Sequence, residues 1–178
     1  YQAWFQDYHR VAPGVKTNYQ AVGSGGGIQQ FSEQTIDFGA LSGKTFGEAD
    51  FSVSATADSG LDVEFASATG DVCSVTGSTV SILAAGDCTV TANQAGDGNY
   101  TAAAEVSQTF TIDPMTVYVT ADSNEITYGD TVPALTYTWG PTDIPAAEFV
   151  GSLSREDSAD AGEYSIGQGT LASKSGNY

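Results

Sequence analysis

Basic residues are scarce in this chain: five Lys and Arg stand against 22 Asp and Glu, a net charge of −17. Phosphate backbones are held by clustered cations, so this scarcity removes nucleic acid from the expected partners. The single histidine, His9, sits among aromatic residues near the start, which leaves a hydrolase triad without a credible base. No run approaches the roughly 20 apolar residues of a membrane-spanning helix, so no membrane insertion is expected of this segment. Zinc spacing of Cys and His is missing, as is an EF-hand loop. The glycine run Gly23–Gly27 lacks the Lys-Ser/Thr and following helix of a phosphate loop and reads as a flexible linker. Carboxylates are plentiful, but no groove is implied that would pair two of them for glycosidic cleavage. Together these gaps predict a protein that is not an enzyme and has no cofactor.

What the chain does have is repetition. Thr45-Phe46-Gly47-Glu48 returns 82 residues later as Thr127-Tyr128-Gly129-Asp130, and Gly98-Asn99-Tyr100 returns 78 residues later as Gly176-Asn177-Tyr178. A period of that size fits one small β-sandwich, so the chain reads as a two-module array. The only two cysteines, Cys73 and Cys88, are 15 residues apart in a strand-rich stretch. Such a pair reads as a disulfide and favours an oxidising location.

Alternation and turn signals divide the sequence into residues 1–33, 34–113 and 114–178. In the first part, 3–11 and 15–22 read as a hairpin around Ala12-Pro13-Gly14, too short to fold alone. In the second, Phe51–Ala57 alternates as one half-buried strand, Asp58-Ser59-Gly60 turns, and Leu61, Val63 and Phe65 alternate again. Val72–Val75 and Val80–Leu83 flank the hairpin signal Thr76-Gly77-Ser78, and Cys88–Ala92 and Val106–Ile112 are further strands. Asp113-Pro114 leaves little slack before a strand at Met115–Thr120, predicting a stiff, extended pair. Beyond it, Leu135–Trp139 alternates, Ile144–Phe149 offers one helical turn, and Asp160-Ala161-Gly162-Glu163-Tyr164 has the form of a tyrosine corner, built on Asp160, Gly162 and Tyr164. By the template of the first module the second lacks a terminal strand. Either a longer chain supplies one, or the alternating Tyr1, Ala3 and Phe5 act as a donor strand for a neighbour.

At this point the residues resemble known bacterial repeats. Lys44–Glu48, Cys73–Gly77, Ala84–Cys88 and Gln94–Tyr100 are similar to bacterial immunoglobulin-like repeats. Thr127–Asp130, Pro133–Tyr137, Gly151–Arg155 and Gly167–Leu171 resemble MBG ("mostly β, glycine-rich") repeats. Over roughly residues 34–178 the resemblance implies two tandem immunoglobulin-like β-sandwiches, so the expected fold is all-β, with the N-terminal strand segment read above preceding them and the second sandwich lacking its terminal strand. It further implies large secreted or surface-anchored proteins, adhesins and stalks among them, with no shared catalytic residues.

The expected function is therefore a structural or adhesive repeat segment, extracellular or on a bacterial surface, with neighbouring repeats or identical subunits as partners. A self-assembling, pilin-like fibre subunit is one alternative. The accessory module of a carbohydrate-active protein, touching surface glycans through Tyr1, Trp4, Phe5, Tyr8 and Tyr19, is another. Calcium is the cation that suits the acidic loops, with Asp122, Glu125 and Asp130, or Glu156, Asp157 and Asp160, as candidate ligands. Asn99-Tyr100-Thr101 is formally a glycosylation sequon but reads first as a turn.

Overall fold

A computed structural model describes residues 31–156 and 160–178. The hairpin read over 3–22, the candidate donor strand Tyr1, Ala3 and Phe5, His9, the linker Gly23–Gly27 and Asp157 lie outside those residues. The described chain is all-β: fifteen short strands and one 3-10 turn, Ala146–Glu148, make up its regular structure. It divides into two units. Of the described residues, one holds 31–44 with Glu48–Ile112; the other holds Asp113–Tyr178 with Thr45–Gly47.

The strands of the first part are β1 (Ile36–Asp37), β2 (Lys44–Thr45), β3 (Phe51–Ser52), β4 (Thr56–Ala57), β5 (Glu64–Ser67), β6 (Cys73–Thr76), β7 (Thr79–Ile82), β8 (Gly86–Asn93) and β9 (Val106–Asp113). They form a four-stranded sheet, β2-β9-β8-β5, a three-stranded sheet, β3-β7-β6, and the pair β1-β4. Period-two alternation places one face of each strand inward. On β8 and β9, Cys88 lies opposite Phe110 and Gly86 opposite Ile112, and Cys88, Val90, Phe110 and Ile112 are buried. The outward positions are polar. There the Thr89 and Thr109 hydroxyls meet at 2.8 Å, and the Thr111 hydroxyl donates to Asp87 at 3.0 Å.

Two links hold the larger sheets face to face. The Cys73–Cys88 disulfide joins β6 to β8 with Cα atoms 5.8 Å apart, and both cysteines have 0% exposure. Phe51 of β3 meets Phe110 of β9 edge to face, with centroids 5.6 Å apart. Nearby, Phe38 packs on Phe65 at 5.5 Å.

The β6–β7 hairpin follows its turn chemistry. Thr76 pairs with Thr79, so Gly77 and Ser78 form a two-residue loop. Gly77 takes φ +61° while no non-glycine residue described has positive φ, the requirement of a type II′ turn.

The expected single strand Phe51–Ala57 is instead two. Phe51–Ser52 pairs with β7, whereas Thr56–Ala57 pairs with β1. Val53 stays buried between them, its N–H donating to the Ser78 carbonyl at 2.9 Å. Alternation reports which side chains face inward, but the partner strands change midway.

In the second unit the strands are β10 (Tyr118–Ala121), β11 (Tyr137–Gly140), β12 (Phe149–Val150), β13 (Ser154–Arg155), β14 (Ile166–Gly167) and β15 (Ala172–Ser173). They pair only as β10-β11, β12-β15 and β13-β14. β10 starts at Tyr118, later than the expected Met115. Tyr137, Trp139 and Phe149 form its aromatic cluster, with Trp139 and Phe149 centroids 5.2 Å apart. Among the described residues, Ile144 and Leu171 are this unit's buried apolar side chains.

Replacing both cysteines, Cys73→Ala with Cys88→Ala, should lower the unfolding free energy of the first unit by about 3 kcal/mol, since the bridge closes a 15-residue loop. Phe110→Ala should cost about 3–5 kcal/mol through loss of a buried ring. Hydrogen exchange in β8 under a urea series reads both, with exchange in β12 as the internal control.

Candidate functional site

The recurring motifs build the same backbone device twice. In the first unit the Asn99 carbonyl accepts the Ser32 N–H at 2.8 Å. The Asp97 carboxylate holds that carbonyl in place by accepting the N–H groups of Asn99 and Tyr100 at 2.7 and 2.9 Å. In the second unit the Asn177 carbonyl accepts the Met115 N–H at 2.8 Å, and the Ser175 hydroxyl accepts the Asn177 N–H at 3.2 Å. Asp97 and Ser175 are thus one position with two chemistries, each turning the chain two residues ahead. The Gly-Asn-Tyr recurrence was legible in the sequence; its capping residue was not, because Asp and Ser look unlike.

Behind the first device lies a polar cluster that sequence reasoning missed. Gln34 is buried, and its amide donates to Gln94 Oε1 at 2.6 Å and to the Thr101 carbonyl at 2.7 Å. Its own Oε1 accepts the Ser59 hydroxyl. Ser32 and Tyr100 complete the closure as a parallel bridge. A buried amide without partners is costly, and Gln34 has them all.

The Thr-aromatic-Gly motif also repeats its geometry, with φ +89° at Gly47 and +96° at Gly129. The first copy, Thr45–Gly47, groups with the second unit. Phe46 donates its N–H to Asp113 at 2.8 Å, and its ring stands edge-on to Tyr178 at 5.4 Å. In the second copy, Asp130 closes the turn onto the Thr127 carbonyl at 3.0 Å, while Tyr128 is 79% exposed.

Tyr164 donates its hydroxyl to the Asp160 carbonyl at 2.6 Å, and Arg155 lies over the Tyr164 ring at 5.7 Å. The Cβ of any larger residue at Gly162 would stand 3.4 Å from that hydroxyl.

Two clefts open on the second unit. One, of about 620 Å³, has an apolar lining that includes Val117, Val119, Phe149, Ile166 and Leu171. The other, of about 1030 Å³, is lined by Asp122, Glu125, Asp130, Asp160 and Glu163 beside Tyr128 and Tyr164. The first trio of calcium candidates therefore borders one open space. Among the described residues, however, no three His, Cys, Asp or Glu side chains converge as a metal site. Asp122 instead accepts the Thr136 hydroxyl at 2.6 Å.

Comparison with known proteins adds a family for one part of the chain. Residues 117–178 match the family described as the MBG domain (YGX type), and Tyr128-Gly129-Asp130 carries a tyrosine-glycine pair of that form. Two curated relatives, the phosphate-binding proteins PstS of Xylella fastidiosa strains Temecula1 and 9a5c, are each 57% identical over 37 residues, 21% of this chain. The chain spans only 10% of the length of these relatives. No solved structure matches.

Two carboxylates, the exposed Asp58 and the half-buried Glu148, serve as acceptors and titrate low. Asp58 is held below its ordinary value first by the Thr35 N–H and then by the Thr35 hydroxyl, at 2.9 Å each. Glu148 is lowered by the Ser175 side chain, then by the Ser175 N–H, with the Ser173 hydroxyl adding less. A depressed folded-state pKa gives stability that is whole above the unfolded carboxylate range, about 4. That stability is lost as pH falls through the lower folded value. The acid limb of stability should therefore become shallower in Asp58→Asn for the first unit and in Glu148→Gln for the second. Urea midpoints followed from pH 7 down to pH 2 check this; an unchanged slope in both variants refutes it. Asp97→Ala and Ser175→Ala should each loosen the motif by about 0.5–1.5 kcal/mol, read as faster exchange of the Asn99 or Asn177 amide.

Proposed function

We infer that this chain is a non-enzymatic, extracellular repeat segment of a bacterial surface protein, whose role is structural or adhesive. The observation that carries the reading is the recurrence of one backbone device, Asn99 with Ser32 and Asn177 with Met115, in a chain whose second part matches the MBG domain. Serial modules built on one template suit spacing and load, because each unit has its own sheets and closures. The Cys73–Cys88 bridge supports an oxidising location, and the net charge of −17 supports a soluble, polyanion-avoiding surface. Among the described residues, no helix is long and apolar enough to cross a membrane. The first unit, on this reading, is an immunoglobulin-like repeat. Its disulfide joins β6 to β8, while in the second unit Tyr164 bonds back to the Asp160 carbonyl. Neighbouring repeats are the primary partners.

On intact cells of the producing organism, an antibody raised against Glu48–Ile112 should label the surface, and added protease should remove the label. Recovery of the protein only from the cytosol, with Cys73 and Cys88 as thiols, would defeat the reading.

Phosphate binding is a second reading, favoured by the likeness to the PstS proteins over 37 residues. Calorimetric titration with inorganic phosphate tests it: a saturable heat supports it, and its absence at millimolar phosphate removes it.

A further inference from the structure

The turn that closes the first unit carries a side chain its closure does not use. Asn99-Tyr100-Thr101 is a complete Asn-x-Thr sequon, whereas Asn18, Asn93 and Asn124 are followed two residues on by Gln20, Ala95 and Ile126. The backbone of the turn is tied down on its inner side. The Thr101 N–H donates to the Ser32 carbonyl at 3.0 Å, the Ser32 N–H to the Asn99 carbonyl, and the Asp97 N–H to the Tyr100 carbonyl at 3.0 Å. The Asp97 carboxylate takes the N–H groups of Asn99 and Tyr100. The side-chain amide of Asn99 takes part in none of these bonds. Asn93, in the same unit, is used differently: it is half-buried and its amide donates to Glu105 at 2.9 Å.

Access to the turn is one-sided. Asp97, Gly98, Asn99 and Thr101 are exposed, while Tyr100 between them is half-buried and forms the parallel bridge with Ser32. This is the alternation of an edge strand, and it leaves the asparagine and the threonine of the sequon in solvent together. The Thr101 hydroxyl has one long contact, with the Ser32 carbonyl at 3.4 Å, too weak to withhold it from another partner. The two glycines mark the closed and open sides. A Cβ at Gly96, where φ is +79°, would collide with the backbone of Tyr100, Thr101 and Ala102; one at Gly98 would meet nothing within 4 Å.

We propose that Asn99 is an N-glycan acceptor. The proposal rests on the extracellular reading above, because a sequon on a surface turn is an acceptor in exported chains. The co-reactants are a sugar carried on a lipid diphosphate and the oligosaccharyltransferase that binds it. Asn99 Nδ2 attacks the anomeric carbon, and a C–N bond forms as the C–O bond to the diphosphate breaks. The lipid diphosphate leaves with the bonding pair and one amide proton passes to solvent, with no change of oxidation state. The turn is suited to both steps: Asp97 fixes the backbone that presents the amide, and the Thr101 hydroxyl is the second group the transferase reads. A glycan here adds bulk and hydration outside the Ser32–Tyr100 closure, and it adds no charge to a chain already at −17.

Protein recovered from the producing organism, digested and sequenced by tandem mass spectrometry, tests the site. The peptide containing Asn99 should carry the mass of one or more sugars, released as sugar fragment ions, while peptides holding Asn93 and Asn124 keep their sequence mass. Asn99→Gln and Thr101→Ala, expressed in the same organism, should lose the addition, and Thr101→Ser should keep it. Asn99→Gln leaves the backbone carbonyl for Ser32 in place, and unchanged hydrogen exchange in β8 verifies that the unit still folds. A bare Asn99 in surface-labelled protein, or an addition that survives Thr101→Ala, would overturn the proposal and leave the repeat reading standing. Sugar on Asn99 in protein that no surface label reaches would uphold the acceptor and defeat the surface placement. A bare Asn99 in protein confined to the cytosol defeats both.

Discussion

Coverage of the β8 edge and the inner face of β9 is the constraint from which the first unit's order follows. β8 pairs with it from Val106 to Ile112, and the two-residue β2 takes part of its other edge, so the backbone polar groups on the β8 side are spent within the sheet. Its inner face then brings Phe110 against Phe51 and Ile112 opposite Gly86. Only with that face covered can Cys73, Cys88, Val80 and Val90 reach zero exposure. The disulfide is buried by the sandwich and also clamps it. In the second unit, where two-stranded pairs are the rule, apolar side chains such as Val150 and Tyr128 stay in solvent. Isolated pairs of this size are marginal, and the aromatic cluster of Tyr137, Trp139 and Phe149 carries much of what cohesion there is.

Much of this was legible in the sequence, and the illegible part has a common cause. The all-β class, the Thr76–Ser78 hairpin, the Cys73–Cys88 pairing and the helical turn within Ile144–Phe149 follow from local signals: alternation, turn residues, spacing. The Thr-aromatic-Gly repeat was visible because Gly47 and Gly129 both take a positive φ, which leaves few substitutes, and the Gly-Asn-Tyr repeat because the tripeptide itself recurs. What escaped was everything set by partners distant in sequence. Nothing in Phe51–Ala57 says that its halves pair with β7 and β1, and nothing in Gln34 says that it is buried against Gln94 and Ser59. Likewise, the equivalence of Asp97 and Ser175 rests on where a side-chain oxygen sits, not on residue type. Among the described residues, the calcium candidates Asp122, Glu125 and Asp130 do not converge for the same reason, since proximity in sequence does not aim carboxylates at one point.

The acidic composition takes on a structural sense once the bonds of the carboxylates are traced. With so few cations, ion pairs cannot be their main use; Lys44–Glu48 is an exposed pair of little energetic weight. The carboxylates instead accept from backbone N–H groups and hydroxyls close at hand. Asp58 takes Thr35, Asp97 takes Asn99 and Tyr100, Asp50 takes Ser81, Asp87 takes Thr111, and Glu148 takes Ser173 and Ser175. Each such bond fixes a turn or strand end, and none needs a partner of opposite charge. The abundance of Thr and Ser beside Asp is thus the counterpart of the scarcity of Lys and Arg. It also explains how a chain of net charge −17 can stay folded: the negative groups are used where local donors already wait. Self-repulsion still acts on the surface as a whole. Strands such as β9 add little to it, since Val106–Asp113 brings only one carboxylate, Asp113, at its end.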